Sequence, residues 1–128
     1  MENKYLNELK LAEEFLISAK NNLPQNLRTS ANRLYFSFEK LIIAYLLFKD
    51  VKVPKNHQKI WELASELLGD EYYQFLRILY DLRMQADYGN KSIFVDLNIN
   101  NLEYNFLKVE SYFIKIKNII NSSQKKKF

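Results

Sequence analysis

Apolar side chains recur along this chain at alternating intervals of four and three residues, the spacing that gathers them on one face of a helix. Tyr5, Leu9, Ala12, Leu16 and Ala19 form the first stripe, and Asn21, Asn22 and Pro24 end it. A second runs over about residues 25–49 through Ala31, Tyr35, Phe38, Ile42 and Tyr45, widened by Leu34, Leu41 and Leu46. So broad an apolar face predicts a central helix. After a connection containing Pro54, Ile60, Leu63, Ala64, Leu67 and Leu68 mark a short third helix closed by Gly69. Asp70 then reads as the N-cap of a fourth helix, which carries Phe75, Leu76, Leu79, Leu82 and Ala86 and stops near Gly89. The stretch over 91–100, with Ser92-Ile93-Phe94-Val95, suits either a short strand or a loop and reads better as a loop. Leu102, Phe106, Val109, Phe113, Ile116 and Ile120 mark a fifth helix, which Asn121-Ser122-Ser123 is expected to break.

The expectation is an all-α protein, an up-and-down bundle of four to five antiparallel helices, because stripes at this spacing favour shallow crossing angles. It spans residues 1–120 as a single domain, with 121–128 a basic, disordered tail. Two Gly and two Pro are too few for the frequent turns of an all-β chain, and 128 residues suit one domain with one core.

Composition narrows the chemistry. Without Cys there is no disulfide, thiol nucleophile or Cys-ligated metal, which suits a reducing, cytoplasmic setting. One His rules out HExxH and other multi-His metal sites, so no metal and no cofactor is expected. The longest apolar run, 41–48, falls well short of a membrane span, and the N-terminus has no secretory pattern. Lys125, Lys126 and Lys127 supply three of the four net positive charges. The folded body is nearly neutral, and charge alone does not mark a nucleic-acid surface.

The informative residues are polar ones set against apolar stripes. Arg83 falls in register with 72, 76, 79 and 86, beside the core stripe of the fourth helix, and needs a partner there. Asp87 lies one turn on and Tyr88 beside it, so a cation, a carboxylate and a phenol gather at one helix end. The plainer alternative is an intrahelical i,i+4 ion pair. Asn32, Arg33 and Tyr35 form a counterpart on the second helix, and the two groups meet if those helices pack together. Here the plainer alternative is a core Tyr35 and a solvated Arg33. His57 opens the third helix, where a ring nitrogen could serve a loop or a backbone group.

Ala31-Asn32-Arg33-Leu34-Tyr35-Phe36, then Lys55-Asn56-His57, then Arg83-x-x-Ala86-Asp87-Tyr88 together resemble a small prokaryotic HEPN domain over about residues 5–120. The resemblance implies a helical bundle that forms a homodimer, is often paired with a minimal nucleotidyltransferase, and works in a toxin–antitoxin setting. Active members cleave RNA without metal through an Arg-x(4–6)-His motif whose two copies meet at the dimer interface. Arg83 matches that Arg, but positions 88 to 90 are Tyr, Gly and Asn, Met84 replaces the usual polar residue, and no His follows Arg83.

Three readings follow. The first is a toxin-like or accessory protein that binds RNA or a nucleotide at Asn32, Arg33 and Tyr35, beside Arg83, Asp87 and Tyr88, and acts with a nucleotidyltransferase. The second is a metal-independent endoribonuclease in which Arg83 offsets phosphorane charge and His57, Asp87 or Tyr88 moves protons. The third is a non-catalytic helical adaptor in which Arg83 and Asp87 form a buried pair.

Overall fold

A computed structural model of the chain describes residues 4–125. They form five helices: α1 (Lys4–Asn21), α2 (Leu27–Phe48), α3 (His57–Leu68), α4 (Asp70–Tyr88) and α5 (Ile99–Lys125), with no strand among the described residues. The fold is the expected all-α bundle, and Ser92-Ile93-Phe94-Val95 lies in a loop.

Local chemistry accounts for most helix ends. Asn26 and Asn56 cap α2 and α3, their side chains accepting the amides of Thr29 and Lys59 at 3.2 Å each. Asn98 does the same for Asn101 at the start of α5, at 2.8 Å. Gly89 ends α4 in the left-handed region, φ 66°, with its amide on the Gln85 carbonyl.

Two boundaries differ from expectation. Gly69, not Asp70, occupies the cap position of α4 and offers no side-chain acceptor. Asp70 is the first helical residue, where its charge and that of Glu71 favour the positive helix end. The fifth helix also continues through Asn121-Ser122-Ser123 to Lys125. Asn and Ser are only weak helix breakers, and the fully buried Ile120 anchors the preceding turn. Of the expected tail, residues 126–128 lie outside the described residues.

Helix α2 is the central element and packs against all four others. Its wide stripe buries Leu34, Tyr35, Phe38, Leu41, Ile42 and Leu46. Small residues allow α1 to approach closely: Ser37 donates to the Ala12 carbonyl at 2.9 Å and Ser30 to the Ala19 carbonyl at 2.8 Å, with all four residues buried. Rising numbers on α2 meet falling numbers on α1, so the two helices are antiparallel. The same logic holds for α2 and α4, where Asn32 meets Asp87, Tyr35 meets Tyr80, and Phe38 meets Phe75. Helix α3 runs against α4 through His57 on Tyr80 and Trp61 on Tyr73. This arrangement brings the start of α3, the middle of α2 and the second half of α4 to one place.

Candidate acid-base site and the adjoining cleft

The α2 stripe contains one carboxylate, Glu39, one turn after Tyr35. That register buries it, and the helix then brings three other groups to it. Glu39 Oε2 lies 2.6 Å from His57 Nδ1 and also accepts a short hydrogen bond from the Tyr35 hydroxyl. Trp61 Nε1 donates to the same hydroxyl at 3.2 Å, and His57 Nδ1 lies 3.2 Å from it.

Paired with a carboxylate, which when ionised only accepts, His57 Nδ1 is the donor of this contact, and in the neutral form of the ring the lone pair falls on Nε2. Among the described residues Nε2 has no hydrogen-bond partner, and the His57 side chain is 41% exposed. Tyr35 itself is fully buried. Burial, the Glu39 carboxylate and the hydrogen bond to it push its phenol far above the ordinary tyrosine range. The Trp61 donor and the Arg83 cation pull the other way without prevailing. Tyr35 therefore remains a proton donor that fixes Glu39, which in turn orients His57.

His57 borders a cleft of about 570 Å³ between α3, α4 and the 89–98 loop, shared with Trp61, Arg77, Tyr80, Lys91 and Phe94. The loop wall is tied to α4. Buried Asp81 accepts the amides of Ile93 at 3.1 Å and Phe94 at 2.9 Å, while Gln85 donates to the Val95 carbonyl and accepts the Leu97 amide.

Arg83 reaches the same Tyr35 and Tyr80 rings that His57 packs against. Its guanidinium carbon is 4.6 Å from the Phe36 ring centre, 5.5 Å from Tyr35 and 5.7 Å from Tyr80. Its Nε donates to Asp87 Oδ2 at 3.1 Å, and Asn32 Nδ2 reaches the same carboxylate at 3.0 Å from α2. Arg33 then donates to Asn32 Oδ1 at 2.8 Å and rests over Phe15. The i,i+4 ion pair is thus real, but it extends across two helices rather than staying within α4.

The structure brings Asn32, Arg33, Arg83 and Asp87 together beside the Tyr35 ring and leaves His57 and Tyr88 outside their hydrogen bonds. Tyr35 is interior, so its ring cannot meet a ligand as a binding residue would; its hydroxyl serves Glu39. Tyr88 is 66% exposed and takes part in none of the hydrogen bonds of the Arg83 group. The expected loop or backbone partner of His57 is replaced by Glu39 and Tyr35. Sequence reasoning passed over Glu39, although a lone carboxylate in an apolar helix, four residues from a tyrosine, was a usable signal. Arg77, Lys91 and Phe94 carried no such signal, since the loop that joins them to His57 is set by Asp81 and Gln85.

A family model described as the HEPN domain matches residues 7–124, most of the chain. Comparison with curated proteins gives no match.

Proposed function

The chain belongs to the HEPN family, whose domain is associated with ribonuclease and toxin-like roles, and on that premise we propose that it is a toxin-like endoribonuclease cleaving RNA without a metal beside His57. The observation that carries this reading is His57 Nδ1 held 2.6 Å from buried Glu39, with Nε2 unpartnered among the described residues, on a residue that lines the cleft.

The chemistry needs only groups at hand. His57 Nε2 takes the proton of a ribose 2′-hydroxyl, the 2′-oxygen bonds to phosphorus, and the bond from phosphorus to the 5′-oxygen breaks. The imidazolium returns the proton to the departing 5′-oxygen, so protons balance and the products are a 2′,3′-cyclic phosphate and a 5′-hydroxyl. Glu39 stabilises the imidazolium between the two transfers. Arg77 and Lys91 line the cleft where phosphate charge would lie. Arg83 acts as a positioning residue: its cation sits over Tyr35 and Tyr80, the rings against which His57 packs.

A specific observation favours a second reading. No His follows Arg83, and its guanidinium is engaged by Asp87 and three rings. Under that reading the protein binds RNA or a nucleotide as an accessory partner of a minimal nucleotidyltransferase in a toxin–antitoxin pair. Either reading accommodates a homodimer, for which the exposed Ile17 and Ile114 beside a shallow α1–α5 groove offer apolar surface.

The deciding experiment incubates the protein and a folded His57→Gln variant with total and defined RNA in EDTA and analyses fragment ends. Cyclic phosphate ends from the wild type alone are expected. Intact RNA that is nonetheless bound would overturn cleavage in favour of the accessory reading. No cleavage and no binding would leave a helical adaptor.

A further inference from the structure

We propose that the 89–98 loop presents Phe94, together with Arg77 and Lys91, as a subsite for one unpaired nucleobase and its phosphate in an RNA strand. This deepens the RNA reading above and rests on it.

The loop combines a fixed backbone with exposed apolar side chains. It is tightly held, because Asp81, 4% exposed, spends its carboxylate on the Ile93 and Phe94 amides while Gln85 brackets Val95 and Leu97. Val95 and Leu97 pack back on the core, yet the two residues whose amides Asp81 holds are apolar and turned to water: Ile93 is 77% exposed and Phe94 44%. Holding Ile93 and Phe94 in solvent through a buried carboxylate adds nothing to the core. It does preorganise a surface for binding.

Charge and shape identify the occupant. Arg77 lies 4.8 Å from the centre of the Phe94 ring, which pairs a planar cation with an aromatic face, and Lys91 lines the same cleft. Asp81 is the one carboxylate in the lining, and backbone amides compensate it. The free charge around the ring is therefore positive. Arg77 also donates to Gln74 at 3.1 Å but has no carboxylate partner among the described residues, and an exposed aromatic ring beside cations without a carboxylate partner matches unpaired bases, which stack on such rings while their phosphates meet Lys and Arg. The cleft volume of about 570 Å³ is of the size that holds small organic ligands. His57 borders the same cleft, so a strand whose base stacks on Phe94 occupies the cleft that His57 lines. A base-paired strand has its ring faces occupied and is excluded from this contact.

The test compares wild type, Phe94→Ala and Phe94→Trp for affinity toward fluorescent single-stranded and duplex oligoribonucleotides, and for cleavage kinetics of the single-stranded ones. Phe94→Ala is expected to weaken single-strand affinity and raise KM by about tenfold, the usual effect of one lost stack, with kcat and thermal midpoint little changed. Phe94→Trp is expected to retain affinity, and duplex affinity should not respond to either change. Unaltered single-strand affinity and KM in Phe94→Ala, with wild-type cleavage intact, would overturn the subsite and leave the RNA reading standing. A wild type that neither binds nor cleaves RNA would overturn both. A Phe94→Ala variant that loses self-association by light scattering but keeps its RNA affinity would overturn the subsite in favour of a protein contact.

Discussion

Glu39 Oε2 lies 2.6 Å from His57 Nδ1, joining a carboxylate in the middle of α2 to the first residue of α3. The carboxylate is 5% exposed and the imidazole borders an open cleft, so a buried anion orients a ring available to a ligand. Loop residues separate the two helices, and their packing against α4 creates the pair.

Glu39→Gln tests this relationship. The amide oxygen can still accept from Tyr35 and from His57, so the shape persists while the negative charge that stabilises an imidazolium is lost. The RNA cleavage rate is expected to fall about ten- to a hundredfold, with single-strand affinity nearly unchanged. An unchanged rate at saturating RNA would remove Glu39 from the proton-transfer unit.

Tyr35→Phe removes one hydroxyl from the middle of the network. Trp61 Nε1 loses its acceptor and Glu39 loses a donor in a buried setting. Stability is expected to drop by about 1–3 kcal/mol, the range for leaving a buried polar group unpaired. Urea denaturation of the variant measures it, and a midpoint equal to wild type would show that water replaces the hydroxyl.

Arg83 makes a different prediction from the one its motif suggests. Because its contacts are Asp87 and three aromatic rings, Arg83→Ala is expected to destabilise by about 1–3 kcal/mol through lost pairing and cation–π contact. Asn32→Ala and Asp87→Ala should couple by about 0.5–1.5 kcal/mol in a double-mutant cycle, since they share a hydrogen bond across two helices. Full stability in Arg83→Ala together with lost RNA cleavage would instead move the chemistry to Arg83.

Alkaline pH gives an independent reading of the core. Burial first, then the neighbouring Tyr112, Glu71 and Tyr45, pushes the Tyr72 phenol up from 10.0 to about 12. Burial and Glu71 also raise Tyr112. Below pH 10 these phenols are protonated whether the chain is folded or not. As pH climbs from there toward about 12 for Tyr72, the unfolded chain releases protons that the folded one retains, so stability is lost with rising pH. Ultraviolet titration should show a late-ionising group of tyrosines with Tyr35 last, and Tyr35→Phe should remove that last step. Ionisation of all nine tyrosines near pH 10 with the fold intact would contradict the burial of these rings.

The apolar stripes at alternating intervals were enough to read five helices, a central α2 and a bundle, because helical periodicity is local and each stripe must find a covering face. The pairing of the Asn32 and Arg83 groups was also legible, since both flank stripes that meet once α2 and α4 pack. The end of α5 was not: Asn121-Ser122-Ser123 is weakly helix-breaking by itself, and tertiary burial of Ile120 outweighs it. Tyr35 on the apolar stripe was readable as a core residue, but only the tertiary structure decided that its hydroxyl meets Glu39, that Glu39 rather than a loop serves His57, and that Asp81 folds the 89–98 loop into a wall of the cleft. Those contacts span between 12 and 18 residues for Asp81 with Ile93 and Glu39 with His57. Their partners are polar groups without periodicity, so nothing in the hydrophobic pattern announces them, and they form only where packed helices leave a buried charge in need of a donor.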